Sequence, residues 1–298
     1  MNIIRDIYNN ISINHNIIYK NLYNILNNVN VSKKIEYKLN NNSKVNLTEN
    51  KFLPKKVIHN FKNLSNTISI SINNIKFNIF YLKNENINYI IKLINILVYV
   101  YNYLESLFNK HVSNLNVDIY LTDLKKKSIS KEKHSLTAFE VNSGYSIPLQ
   151  NYICIWRKEE IIKVFIHELL HIFNLGDINN YKNNIINKYY LNKYNINVQN
   201  NIYIPESIID FFAILINTYI ITKLHSNSYE LFITNLHIEI YFILKQGSNV
   251  LYLSDVNHIN KYTNVLSYYI IKGEMFKNID KKLEIFIKNK KINLNKHN

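Results

Sequence analysis

Three prolines, four glycines, two methionines, one tryptophan and one cysteine are all that the 298 residues hold of these types. With Cys154 alone, an intrachain disulfide is excluded, and the expected setting is a reducing compartment, for an intracellular and soluble protein. The stretch MNIIRDIYNNISINHNIIYK has no continuous apolar run and no small-residue cleavage site, so no secretory leader is expected. The most apolar windows, IIKLINILVYVYNYL and IIDFFAILINTYIITK, are interrupted by Lys92, Asn95, Asp210 and Asn217. Neither reaches the uninterrupted length of a bilayer span, and none is expected. Phosphate-binding glycine loops, zinc-finger spacings and RNA-recognition signatures are also missing.

What is present is globular. Hydrophobic residues make up 47% of the chain, enough for a substantial core in one large domain or two lobes sharing a cleft. The formal charge of +15 admits a nucleic-acid partner. Its lysines are scattered, as in KKK at 125–127 and KNKK at 288–291, and read as a solvated surface. Asn, Ile, Lys and Tyr are overused together, as AT-rich coding produces, so a single Asn, Lys or Tyr carries little functional weight.

Periodicity divides the chain into 1–66, of unclear role beyond some helix near 5–28; an α/β lobe over 67–176; and a mainly helical lobe over 177–298. TISISINNIKFNIFYLK at 67–83 alternates around Asn73-Asn74 and predicts a hairpin. A long helix is expected over 86–111 and a strand over 116–123. FEVNSGYSI and NYICIWR read as two strands parted by Pro148. Helices are expected at 158–175, 205–224, 228–246, 261–277 and 279–291, with 177–202 a long connection. Strands first and helices after give an α+β fold.

The chemistry gathers in VFIHELLHIFNLGD. On a helix, His167 and His171 share one face about 6 Å apart and can bind one tetrahedral ion. Glu168, directly after the first His, can reach a water at that ion without taking a coordination position. Uncharged neighbours on both sides predict a buried helix, where an uncompensated Glu-His-His cluster would be costly. Two residues compete as third ligand. Glu206 in IPESIIDFFA follows Pro205 at a helix start, and Asp210 lies four residues on, placed to orient a ligating His. Asp177, six residues past His171, would need a sharp turn at Asn174, which tolerates a left-handed backbone; Gly176 reads as the helix stop. The His/His/carboxylate set favours zinc, one ion per chain.

HELLH followed by ESIID on a later helix resembles the gluzincin division of zinc metallopeptidases. Over roughly 115–275, VNSGYS, the HELLH helix, ESIIDFFAILIN and TNVLSYYIIK are similar to zincin-like proteins encoded by large DNA viruses. The resemblance implies a zincin-like fold with a metal cleft between lobes, in a cytoplasmic or virion-associated protein. It implies peptide or protein substrates, with His167, His171 and Glu206 on zinc, Glu168 as base then acid, and Asp210 orienting a ligand. The tetrahedral intermediate needs a further donor, for which Tyr268, Tyr269 and His258 are the candidates. Zincins bind substrate along a sheet edge, and Asn142, Ser143 and Gly144 are the expected edge; an ordinary strand bulged at Gly144 is the alternative.

Overall fold

The computed structural model describes residues 16–29, 37–40, 53–72, 74–126, 136–176, 180–194, 202–255 and 264–284. Asn73, Asp177 and His258 lie outside them. Chain order is α1 (Asn16–Asn27), β1 (Tyr37–Asn40), α2 (Lys55–Phe61), β2 (Asn66–Ile72), β3 (Ile75–Tyr81), α3 (Ile87–Phe108) and β4 (Leu115–Thr122). Then come α4 (Ala138–Val141), β5 (Gly144–Ile147), β6 (Tyr152–Arg157), α5 (Ile161–Ile172), α6 (Asn180–Lys193), α7 (Ile204–His225) and α8 (Tyr229–Asp255). A π-helical turn at Ser267–Ile271 leads into α9 (Lys272–Lys277).

The fold is α+β. Its one mixed sheet has the order β1-β2-β3-β4-β6-β5. β2 and β3 form the expected antiparallel hairpin, with Ile72 opposite Ile75. β3, β4 and β6 run parallel, and β5 returns antiparallel to β6 as an edge strand. Alternation sorts the faces. Phe77, Val117, Ile119, Ile153 and Ile155 point into the main core with α3, α5 and α7. Phe80, Tyr120, Cys154 and Trp156 point the other way and pack with α2.

Left-handed backbone, in a chain so short of glycine, falls to asparagine. Asn109, Asn114, Asn151 and Asn174 have positive φ, and among the described residues no glycine does. Asn109 thus closes α3, whose start is capped by the Asn86 side chain accepting from the Asn88 N–H at 2.9 Å.

Three local readings change. Residues 139–141 are helical, not strand, because Thr137 and Glu140 close a capping box that starts α4. The 177–202 connection contains α6, whose Ile186, Tyr190 and Tyr194 pack on a second core under the π-turn. α5 ends at Ile172, and the left-handed Asn174, φ 54°, rather than Gly176 turns the chain away from it. α3 and α7 are long and apolar enough to cross a membrane by composition, but 56% and 72% of their apolar windows are buried inside the fold. Their apolar faces are therefore largely accounted for by packing.

Candidate metal centre

α5 and α7 pack side by side, and the predicted ligands meet where they touch. His167 and His171 project from α5 one turn apart, and their Nε2 atoms lie 3.2 Å from each other. Glu206, in the first turn of α7 just after Pro205, brings Oε2 to 3.2 Å from His171 Nε2 and 3.4 Å from His167 Nε2. Tetrahedral zinc with bonds of about 2.0–2.1 Å sets its ligand atoms roughly 3.3 Å apart. The three donor atoms already have that spacing, so the donor set fits the ion. Among the described residues this is the one His/Cys/Asp/Glu group so placed.

Asp210, one turn further along α7, has Oδ1 at 3.3 Å from His167 Nδ1. That contact favours Nδ1 as the protonated nitrogen of the neutral ring, so Nε2 can offer its lone pair towards the other two donors once an ion displaces its proton. Asp210 also pairs with two lysines. Lys272 Nζ donates to Oδ2, and Lys163 lies 3.5 Å from Oδ1. Burial alone would raise the Asp210 carboxyl, but the two ammoniums and His167 hold it well below the usual range. Burial works against a charge on His167 too, yet Asp210 and Glu206 raise it to about 10. The negative potential that holds a proton there would equally hold a cation.

Glu168 stands apart from the donor triangle. Its Oε2 accepts from Ser146 Oγ on β5 at 2.8 Å, and burial pushes its carboxyl upward against the pull of both histidines. Gly144, two residues before Ser146, lets β5 close on α5. A Cβ there would lie 2.5 Å from Val164 Cγ1 and 2.8 Å from the Cys154 carbonyl oxygen. β5 is the last strand of the sheet, and it pairs with β6 in unbroken register from Gly144 opposite Ile155 to Ile147 opposite Tyr152, so the bulge at Gly144 is not seen. Ser143 Oγ is tied to Glu160, and the Asn142 carbonyl accepts from Arg157 Nε at 3.3 Å.

Neighbouring tyrosines part company on the π-turn. Tyr268 donates its hydroxyl to Glu206 Oε2 at 2.9 Å, and its ring centroid lies 5.9 Å from that of His167. Burial, then Glu206 and Glu168, push this phenol well above its ordinary range, so it is a neutral donor. Tyr269 instead lies beside the Lys272 ammonium, 5.5 Å from its ring centroid. The turn can approach because α8 carries Gly247, where a Cβ would sit 2.9 Å from the Tyr269 carbonyl oxygen.

Comparison with protein-family models, curated proteins and solved structures gave no match. Function therefore has to be argued from these residues. Sequence reading missed three of them: Lys163, Lys272 and Arg157. The first two carry a visible signal, because Lys163 lies four residues before His167 and Lys272 four after Tyr268. Arg157 is fully buried and clamps the carbonyls of Phe139 and Asn142 beside the cleft.

Proposed function

We propose that this chain is a zinc-dependent metallopeptidase of gluzincin type, with His167, His171 and Glu206 as the ligands. One observation carries the reading. Three buried or half-buried donors converge at ion-binding distances while a fourth group, the Glu168 carboxylate, is held next to them and outside the triangle. A structural site needs no such spare carboxylate; a hydrolytic one needs a base.

Bound zinc would supply Lewis acidity towards a substrate carbonyl and a water. Everything else is asked of the protein. Glu168, oriented by Ser146, takes a proton from the attacking water as its oxygen bonds to the carbonyl carbon. The same carboxyl passes that proton to the amide nitrogen as the C–N bond breaks, leaving a carboxylate and an amine. Its raised affinity for a proton suits both halves of the cycle. Tyr268, already donating at the edge of the triangle, is the group suited to the negative oxygen that develops. β5, the last strand of the sheet among the described residues, offers backbone groups to an extended peptide passing Gly144.

The test is Glu168→Gln beside the wild type, with zinc per chain and turnover of an unstructured protein substrate both measured. The expected result is equal zinc and a fall in turnover of at least about a hundredfold. Full turnover in the variant would sink the mechanism, and a wild type without zinc would sink the metal site.

A further inference from the structure

Lys163 continues the α5 stripe that carries His167 and His171, one turn nearer the helix start. Its side chain lines a cleft of about 640 Å³ together with His167, Glu168, Tyr268 and the edge residues Ser143 and Gly144. The ammonium is paired with Asp210 at 3.5 Å without a hydrogen bond, and the side chain is 28% exposed. An ammonium carries three N–H donors. Among the described residues those of Lys163 have no hydrogen-bond acceptor.

Neighbouring acids are largely committed elsewhere. Asp210 gives Oδ2 to Lys272 and Oδ1 to His167. Glu159 answers Lys125, and Glu160 answers Lys126 and Ser143. Glu160 and, to a smaller degree, Glu239 on α8 also act on the Lys163 ammonium through charge. Both ammoniums pair with the Asp210 carboxylate, which is also engaged with a predicted ligand. Strain between them is felt by Lys272, which burial pulls down to about 8 with repulsion from Lys163 adding to the effect.

We propose that this cleft takes an anionic group of the substrate, a carboxylate, against Lys163 with Lys272 behind it. The inference rests on the peptidase reading and sharpens it to peptides with an acidic side chain, or a free C-terminus, next to the bond cut. A carboxylate is the group that accepts several hydrogen bonds at once, as the open donors of Lys163 require. Ile214 and Ile243 add apolar wall to the same cleft.

The probes are labelled octapeptides of alanine and serine. A single glutamate, or glutamine in the matched control, is walked through each position, with free and amidated C-termini. Affinity is measured on the zinc-loaded Glu168→Gln protein, and cleavage on the wild type. Glutamate at one position, or the free terminus, should bind about tenfold tighter than its neutral match. Lys163→Met should abolish the preference, and Lys163→Glu should reverse it towards a lysine-bearing peptide. A preference that follows the walked residue identifies a side chain; one confined to the free acid identifies the terminus. Equal binding of every matched pair, no binding of any, or a preference surviving in Lys163→Met overturns the inference. Cleavage indifferent to charge would remove it and leave the peptidase reading standing. Acid-selective binding without cleavage would do the reverse.

Discussion

Replacing Gly144 by alanine tests whether the close approach of β5 to α5 sets up the site. The added Cβ would lie 2.5 Å from Val164 Cγ1, where carbon atoms settle at about 3.5–4.0 Å, so roughly 1 Å must be found. Val164 cannot easily give way, since a β-branched side chain in a helix has essentially one rotamer. Nor can the Cys154 carbonyl, 2.8 Å away, because β6 is fixed in the sheet by β4. The edge strand must lift. Overpacking of this kind costs about 1–3 kcal/mol, and in a chain of this size that lowers Tm by roughly 2–10 °C. Ser146 moves with the strand, and its 2.8 Å bond to Glu168 passes out of reach. Turnover should then fall about tenfold with zinc retained, because the ligands stand on α5 and α7. Calorimetry, elemental analysis and steady-state kinetics read the three effects. Adding Val164→Ala should recover part of both losses, a coupling of about 1 kcal/mol in a double-mutant cycle. Gly144→Ala with wild-type Tm and turnover, or a double variant no better than additivity, would refute the argument.

Glu206→Gln keeps the shape but removes the charge, and zinc per chain should fall to a small fraction; unchanged zinc would move the third ligand elsewhere. Tyr268→Phe should leave zinc intact and lower kcat about tenfold or more with KM little changed, whereas equal kcat would remove its role towards the oxyanion. In chelator-treated protein His167 is raised to about 10, so its stabilising contribution is complete below about 6.5 and is lost as pH climbs towards 10. Tm of that form should drop between pH 7 and 9.5 more than Tm of the zinc form, in which the ion replaces the proton. Parallel curves would contradict it.

Much of this was legible because it is local. His167 with His171 and Glu206 with Asp210 are four-residue pairs on helices, and the alternation around Asn73-Asn74 needs only neighbours. Thr137 and Glu140 also spelled a capping box in plain sight, but the apolar-polar alternation of the following residues masked it. Other features depend on distant partners. No local signal distinguishes Tyr268 from Tyr269; the π-turn and Gly247 of another helix decide which one meets Glu206. α6 is built of poor helix formers and is held by contacts such as the Lys193–Glu274 pair at 3.0 Å. Asparagine, discounted as bias in composition, supplies left-handed positions at Asn109, Asn114, Asn151 and Asn174.

The site is a matter of helical phase. Lys163, His167 and His171, then Glu206 and Asp210, then Tyr268 and Lys272, keep steps of four residues on three separate helical segments. One residue added or lost within any of these windows turns everything beyond it by about 100° and dismantles the centre. The same change in a turn between two elements, such as 226–228 between α7 and α8, leaves those windows in phase, at small entropic cost. Length can therefore drift in the turns between elements while three short windows keep time.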